Sequence, residues 1–160
     1  MTQLDQHDFR AATIDAKRRL EGAKKLQHLA ARRAAESFLA GDVPAADDIV
    51  GHELVLAGLA ALEVRAQYQA LGDQSASFSR EAKELPQQIP PLDARLGDLY
   101  HGRVPEVKTL IERDREMDAA RAELESIQGR INRAHDHVFE LSNAQTALMQ
   151  QHPEAFYEAP

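Results

Sequence analysis

Cysteine and tryptophan are both absent from the 160 residues of the sequence. Without cysteine there is no disulfide framework, no thiolate nucleophile and no thiolate metal site. A chain without disulfides fits a reducing compartment. We therefore expect a protein of the cytoplasm, or of a particle that is assembled inside the cell.

Long apolar runs are also missing. The longest spans residues 54–62, is interrupted by Gly58 and stops before Glu63. A membrane-spanning helix needs about 20 apolar residues. The N-terminus begins without a basic segment followed by an apolar one, which is the pattern of a secretory signal. The sequence therefore predicts neither a membrane span nor secretion by a signal peptide.

Residues that favour β-strands are scarce, whereas alanine is abundant. Val, Ile and Thr together number 17, against 27 alanines. Alanine, leucine, glutamate, lysine and arginine favour helices. The predicted fold class is all-α: an elongated helical bundle or coiled coil with two long helices, a buried middle helix and one short helix.

Glycine and proline divide the chain into four predicted segments. Residues 1–72 are predicted to form a helical hairpin, with a basic first helix over 4–40 and an apolar second helix over 45–71. Residues 73–103 are rich in Ser, Gln and Pro and predict a connector with one short helix. Residues 104–152 form a long helix opened by Pro105, and residues 153–160 an acidic tail. Gly41, Gly72 and Gly102 are the predicted helix ends.

The first helix carries a narrow apolar stripe that is made mostly of alanine. Small residues let another helix approach closely but bury little area. The members of the stripe are Phe9, Ala12, Ala16, Leu20, Ala23, Ala30 and Ala34.

The last helix carries a heptad pattern of apolar residues, which is the most specific pattern in the chain. Apolar residues that recur every seven positions, with a second set three later, are typical of a coiled coil. We call these positions the seam and expect them to form an oligomer interface, because the alanine stripe of the first helix is a poor match for them. They are Leu110, Met117, Leu124, Ile127, Ile131, Val138, Leu141 and Leu148.

Charge is distributed unevenly along the chain. The net charge is −7, yet residues 10–33 carry +6, which leaves −13 for the rest. The basic residues are candidates for contact with a polyanion or with an acidic protein surface of the same or another chain. They are Lys17, Arg18, Arg19, Lys24, Lys25, Arg32 and Arg33.

Residues that could carry catalysis or hold a metal ion do not form a recognisable motif. His52 and Glu53 resemble the start of a zinc-protease motif, but the second histidine is missing. His135 and His137 point about 200° apart on a helix, so they cannot chelate one ion together. Glycine-rich phosphate loops and nucleophile elbows are absent as well. We expect no enzyme activity, no cofactor and no metal.

The tail ends in two adjacent aromatic residues, Phe156 and Tyr157. Aromatic side chains on a polar tail can anchor a partner. They can equally pack on a helix of their own chain. The sequence leaves both alternatives open.

These observations favour a non-enzymatic structural or assembly protein that forms a homo-oligomer through its last helix. A subunit of a larger particle, such as a virion connector or scaffold, is one form of this hypothesis, by architecture alone. The alternative is a nucleic-acid-associated or regulatory adaptor that acts through residues 10–33. A third hypothesis is an inhibitor that presents the acidic residues Glu112, Glu116 and Glu123 to a basic partner.

Overall fold

The computed structural model describes residues 6–107 and 109–157. Within these ranges the chain forms α-helices and short 3-10 helices, and no strand. The all-α class is confirmed, with three long helices where two were predicted. The α-helices are α1 (Gln6–Leu39), α2 (Ile49–Glu84), α3 (Ile89–Tyr100) and α4 (Leu110–Gln151), and 3-10 helices cover Leu85–Gln88 and Pro153–Phe156.

Two of the predicted glycine stops end helices. Gly41 and Gly102 have φ angles of +105° and +67°, in the left-handed region that glycine enters without strain. After α1, the N–H of Asp42 donates to the Ser37 carbonyl and that of Gly41 to the Phe38 carbonyl, each at 3.0 Å. This pair of bonds satisfies carbonyls that the helix end leaves free. The same pair of bonds ends α3 at Gly102.

Side-chain caps define where α2 and α4 begin. The Asp48 carboxylate accepts a hydrogen bond of 2.8 Å from the N–H of Gly51 at the start of α2. At α4, the N–H of Glu112 donates to Thr109 Oγ1 (3.1 Å), and the N–H of Thr109 donates to the Glu112 carboxylate (3.0 Å). This reciprocal capping box places the start of α4 after Thr109. The predicted start at Pro105 is therefore wrong.

The predicted end of α2 at Gly72 is also wrong. The helix continues to Glu84, so the first part of the predicted connector is helical. A glycine within a helix costs only about 1 kcal/mol relative to alanine, and packing of the following turns offsets this cost. Phe78 and Ala82 in these turns lie against α4: Phe78 stacks on His137, and Ala82 lines a groove with Val138.

The prolines that follow α2 lie in helical turns rather than in an extended segment. Pro86 lies at the start of a 3-10 helix, and Pro90 and Pro91 lie in the first turn of α3. The first turn of a helix tolerates proline because its N–H groups have no partner within the helix. The connector is thereby reduced to residues 101–109, of which residue 108 lies outside the described ranges.

The expectation that the middle helix is buried on several sides is wrong for this chain. In α2 the buried hydrophobic side chains are Val55 and Ala82. Ile49, Val50 and Leu56 are each at least 66% exposed. The buried and half-buried positions of the first half recur every three or four residues, so this half packs along one face only.

The chain divides into two compact units, and α2 and α4 each contribute to both. One unit comprises the residues up to Gln69 together with those from Thr146 onward. In this unit α1 and α2 approach closely at Gly58, which is buried against Ala31 and Ala35. A Cβ atom on Gly58 would lie 2.7 Å from the Cβ atom of Ala35, so only glycine fits without movement of the helices.

The second unit comprises Ala70–Gln145. Its core joins Leu85, which follows α2, to Ile127 and Ile131 of α4, and Ile89 and Leu92 pack against them. Two ion pairs join different helices at the surface of this unit: Arg130 with Glu81 at 2.8 Å and Arg95 with Glu116 at 2.6 Å.

Candidate protein-interaction site

The seam of α4 is largely covered by the chain itself. Ile127 and Ile131 are 4% and 7% exposed, beneath Leu85, Ile89 and Leu92. At the N-terminal end of the seam, Leu110 is 68% exposed. The remaining members are half-buried: Met117, Leu124, Val138, Leu141 and Leu148.

The seam was predicted to bind a second copy because no other part of the chain was expected to pack against it. This expectation is wrong at the centre of the seam. Leu85, Ile89 and Leu92, which were assigned to the connector, pack there against Ile127 and Ile131. The assignment of the seam as an oligomer interface stays a prediction, and the structure gives it less reason than the sequence did.

One seam residue borders an open apolar groove between α2 and α4 in the second unit. Val138 lines it together with Phe139, which is 68% exposed. The groove has a volume of about 430 Å³. Its other lining residues are Ser79, Ala82, Lys83, His135 and Ser142.

The face of α1 that packs in the structure is not the predicted alanine stripe but a neighbouring face. The structure buries Leu29, Ala31 and Ala35, whereas Ala30 is exposed and Ala34 half-buried. Adjacent helix positions point about 100° apart, so this shift changes the packed face. The physical reason is the close approach at Gly58, which selects Ala31 and Ala35 as its neighbours.

The N-terminal part of α1 is exposed on every side of the helix. Every residue from 9 to 27 is exposed, and we call this segment the arm. It includes four large apolar side chains that are 56% to 65% exposed: Phe9, Ile14, Leu20 and Leu26. The arm was not predicted as a separate surface. Its signal was present in the spacing, because Ile14 and Leu26 lie off the stripe and no single face collects the apolar residues.

The predicted basic residues divide into three groups. Arg32 and Lys25 hold the tail: Arg32 Nη1 donates to the Tyr157 carbonyl at 3.0 Å, and Lys25 Nζ lies 5.4 Å from the centre of the Tyr157 ring. Arg19 pairs with Asp15 at 2.9 Å. The other exposed basic residues form no ion pair with any described residue; they are Lys17, Arg18, Lys24 and Arg33.

The aromatic residues of the tail pack on their own chain. The Phe156 ring meets Tyr68 edge-on with centroids 5.1 Å apart, and the Tyr157 ring lies 5.8 Å from His28. Ala155 beside them is 2% exposed. Of the two alternatives for the tail, the structure shows the intramolecular one. Residues 158–160 lie outside the described ranges.

Two of the three carboxylates assigned to the inhibitor hypothesis have roles within the chain. Glu112 caps the start of α4, and Glu116 pairs with Arg95. Glu123 is exposed. The set therefore does not form one free acidic surface.

The residues considered for metal binding are separated as the helix geometry predicts. His137 stacks on Phe78 with centroids 4.7 Å apart and lies 3.5 Å from the Glu140 carboxylate. His135 lines the groove instead. Over residues 6–107 and 109–157, no three histidine, aspartate or glutamate side chains gather in a way that could hold a metal ion.

Over the described residues, more large apolar side chains are exposed than buried. Six large apolar side chains are buried there, against fourteen that are exposed. Single exposed apolar residues are ordinary, but their concentration on unpacked helices provides surface for association. In the described helices, none has the length and apolarity to cross a membrane.

Comparison with protein-family models, with curated proteins and with solved structures finds no match to this chain.

Proposed function

We propose that the protein is a non-enzymatic assembly protein that forms a homo-oligomer, and that the arm of α1 is the part that associates. The observation that carries this proposal is the complete exposure of residues 9–27 with four large apolar side chains. Burying one such side chain contributes about 1.5–3 kcal/mol. An arm of about 28 Å offers several of these gains to a partner.

An isolated helix of this length is marginal in water, because its stability comes mostly from packing of an apolar face. The arm is continuous with the packed half of α1, residues 28–39, which gives it a nucleus from which to extend. Contact with another chain would stabilise the helix and cover its apolar residues together. The wider hypothesis of a subunit in a larger particle, of the virion connector or scaffold kind, belongs to this proposal and is supported by the all-α architecture alone.

Sedimentation velocity of the full chain and of Leu20→Asp tests the proposal. Leu20 is 56% exposed, so an aspartate there leaves the fold intact but places a charge in the associating surface. We expect the parent chain to be an oligomer and Leu20→Asp a monomer with unchanged circular dichroism at 222 nm. The matched control is Leu56→Asp on α2, where the side chain is 67% exposed, and it should stay oligomeric.

A parent chain that stays monomeric at every concentration would contradict the proposal. So would dissociation by Leu56→Asp but not by Leu20→Asp, since association would then use another surface.

The alternative function, contact with nucleic acid through the basic residues, predicts a different result for the same parent chain. A monomer that binds duplex DNA with a steep salt dependence, lost on replacing Lys17, Arg18 and Lys24 by alanine, would favour that alternative. The arm lacks aromatic residues between its basic ones that could stack on bases, and for this reason we prefer the assembly role.

A further inference from the structure

We infer that the arm of one copy docks on the exposed acidic face at the start of α4 of a second copy, and this inference rests on the proposed function. Both surfaces are exposed in the single chain. The arm is exposed over residues 9–27, and Asp114, Asp118 and Glu125 of α4 are exposed as well.

Charge complementarity identifies the occupant. The arm carries a net charge of +4, and residues 110–125 carry −3. Opposite potentials on two surfaces steer their encounter and fix their register. A second copy brings the acidic face with it, so one kind of chain provides both partners.

The spacing of the charges also matches. Arg10, Lys17 and Lys24 follow one another at intervals of seven residues, which places them on one side of α1. Asp118 and Glu125 are separated by the same interval on α4. Two helices packed side by side bring residues at this interval into repeated contact.

Apolar residues accompany the charges on both surfaces. On the arm, Phe9 and Leu20 are 59% and 56% exposed and lie beside the basic row. On α4, Leu110 and Ile111 are 68% and 75% exposed at the head of the acidic face. The contact therefore combines apolar burial, which gives affinity, with charge pairs, which give specificity.

The contact is heterologous, since two different patches of the same chain meet. Such a contact closes into a ring if its rotation permits and otherwise extends as an open chain of copies. The acidic face of each copy thus remains available to the arm of the next until the assembly closes.

The test is a charge-reversal exchange between two full-length variants. In the first, Arg10, Lys17 and Lys24 become glutamate; in the second, Asp114, Asp118 and Glu125 become lysine. Each variant alone sets like charges against one another, and we expect its dissociation constant to rise by at least about tenfold. A mixture of equal amounts should assemble again, because each reversed surface then finds its complement.

The control replaces Glu53, Glu63 and Asp136, which are exposed elsewhere, by lysine and so changes the net charge by the same amount as the second variant. It should assemble like the parent chain. An oligomer that forms in the parent chain and in both single variants alike would overturn the docking inference and leave the proposed function standing. Failure of the mixture to reassemble would overturn it as well. A parent chain that does not assemble would overturn both the docking inference and the proposed function. If that monomer binds DNA and the first variant does not, the arm is a nucleic-acid contact instead.

Discussion

The two halves of α1 have similar compositions and opposite environments. In the packed half, residues 28–39, Leu29, Ala31 and Ala35 are buried, and the two alanines lie against Gly58 of α2. The arm, residues 9–27, holds as many alanines and leucines, six in all, yet none of its residues is buried. Helix propensity therefore extends α1 through both halves, whereas burial depends on what the rest of the chain brings opposite each turn. The difference shows that one helix serves the fold at one end and offers a free surface at the other.

The largest expected contrast comes from placing a charge in each half. Ala35 is 0% exposed, so Ala35→Glu puts an unpaired carboxylate between α1 and α2. We expect the free energy of unfolding to fall by about 3–5 kcal/mol, which is typical of an uncompensated buried charge. Ala23→Glu in the exposed arm should change it by less than about 0.5 kcal/mol. Urea titration followed by circular dichroism measures both, and equal losses would show that the halves do not differ.

A smaller contrast comes from replacing two glycines by alanine, which should change the free energy of unfolding in opposite directions. Gly58→Ala places a methyl group 2.6 Å from the Ala31 carbonyl carbon, where backbone must move. We expect a loss of about 1–3 kcal/mol from overpacking. Gly22→Ala in the arm meets nothing within 4 Å and should stabilise the helix by about 0.5–1 kcal/mol.

Thermal unfolding of the two glycine variants gives the sign of each change. A Gly58→Ala protein as stable as its parent would show that the close approach of α1 and α2 does not require glycine. A loss of helicity in Gly22→Ala would show that the arm is not the regular helix described above.

The fold class and some helix ends were predictable because they depend on local chemistry. The left-handed conformation at Gly41 needs glycine, and the scarcity of β-branched residues leaves little material for a sheet. The capping box of Thr109 and Glu112 was equally local and could have been found from its spacing. Pro105 was the predicted start instead, because proline also favours the first turn of a helix.

The remaining errors concern choices that only tertiary contacts decide. Gly72 has the same local chemistry as Gly41, but the turns after it pack on α4 and keep the helix intact. The packed face of α1 is set by Gly58, a residue of another helix. The heptad pattern predicted that Ile127 and Ile131 are buried. Periodicity does not say whether the side chains that bury them belong to the same chain or to a second copy.

Concentration-dependent amide hydrogen exchange of the full chain tests the central claim most directly. The claim is that the arm is free in a single copy and covered in an assembly. Amides of residues 9–27 should exchange fast in dilute solution and gain protection as concentration rises, because association stabilises this helix. Amides of residues 28–38 should be protected at both concentrations. An arm equally protected at every dilution, or unprotected at every concentration, would contradict the account.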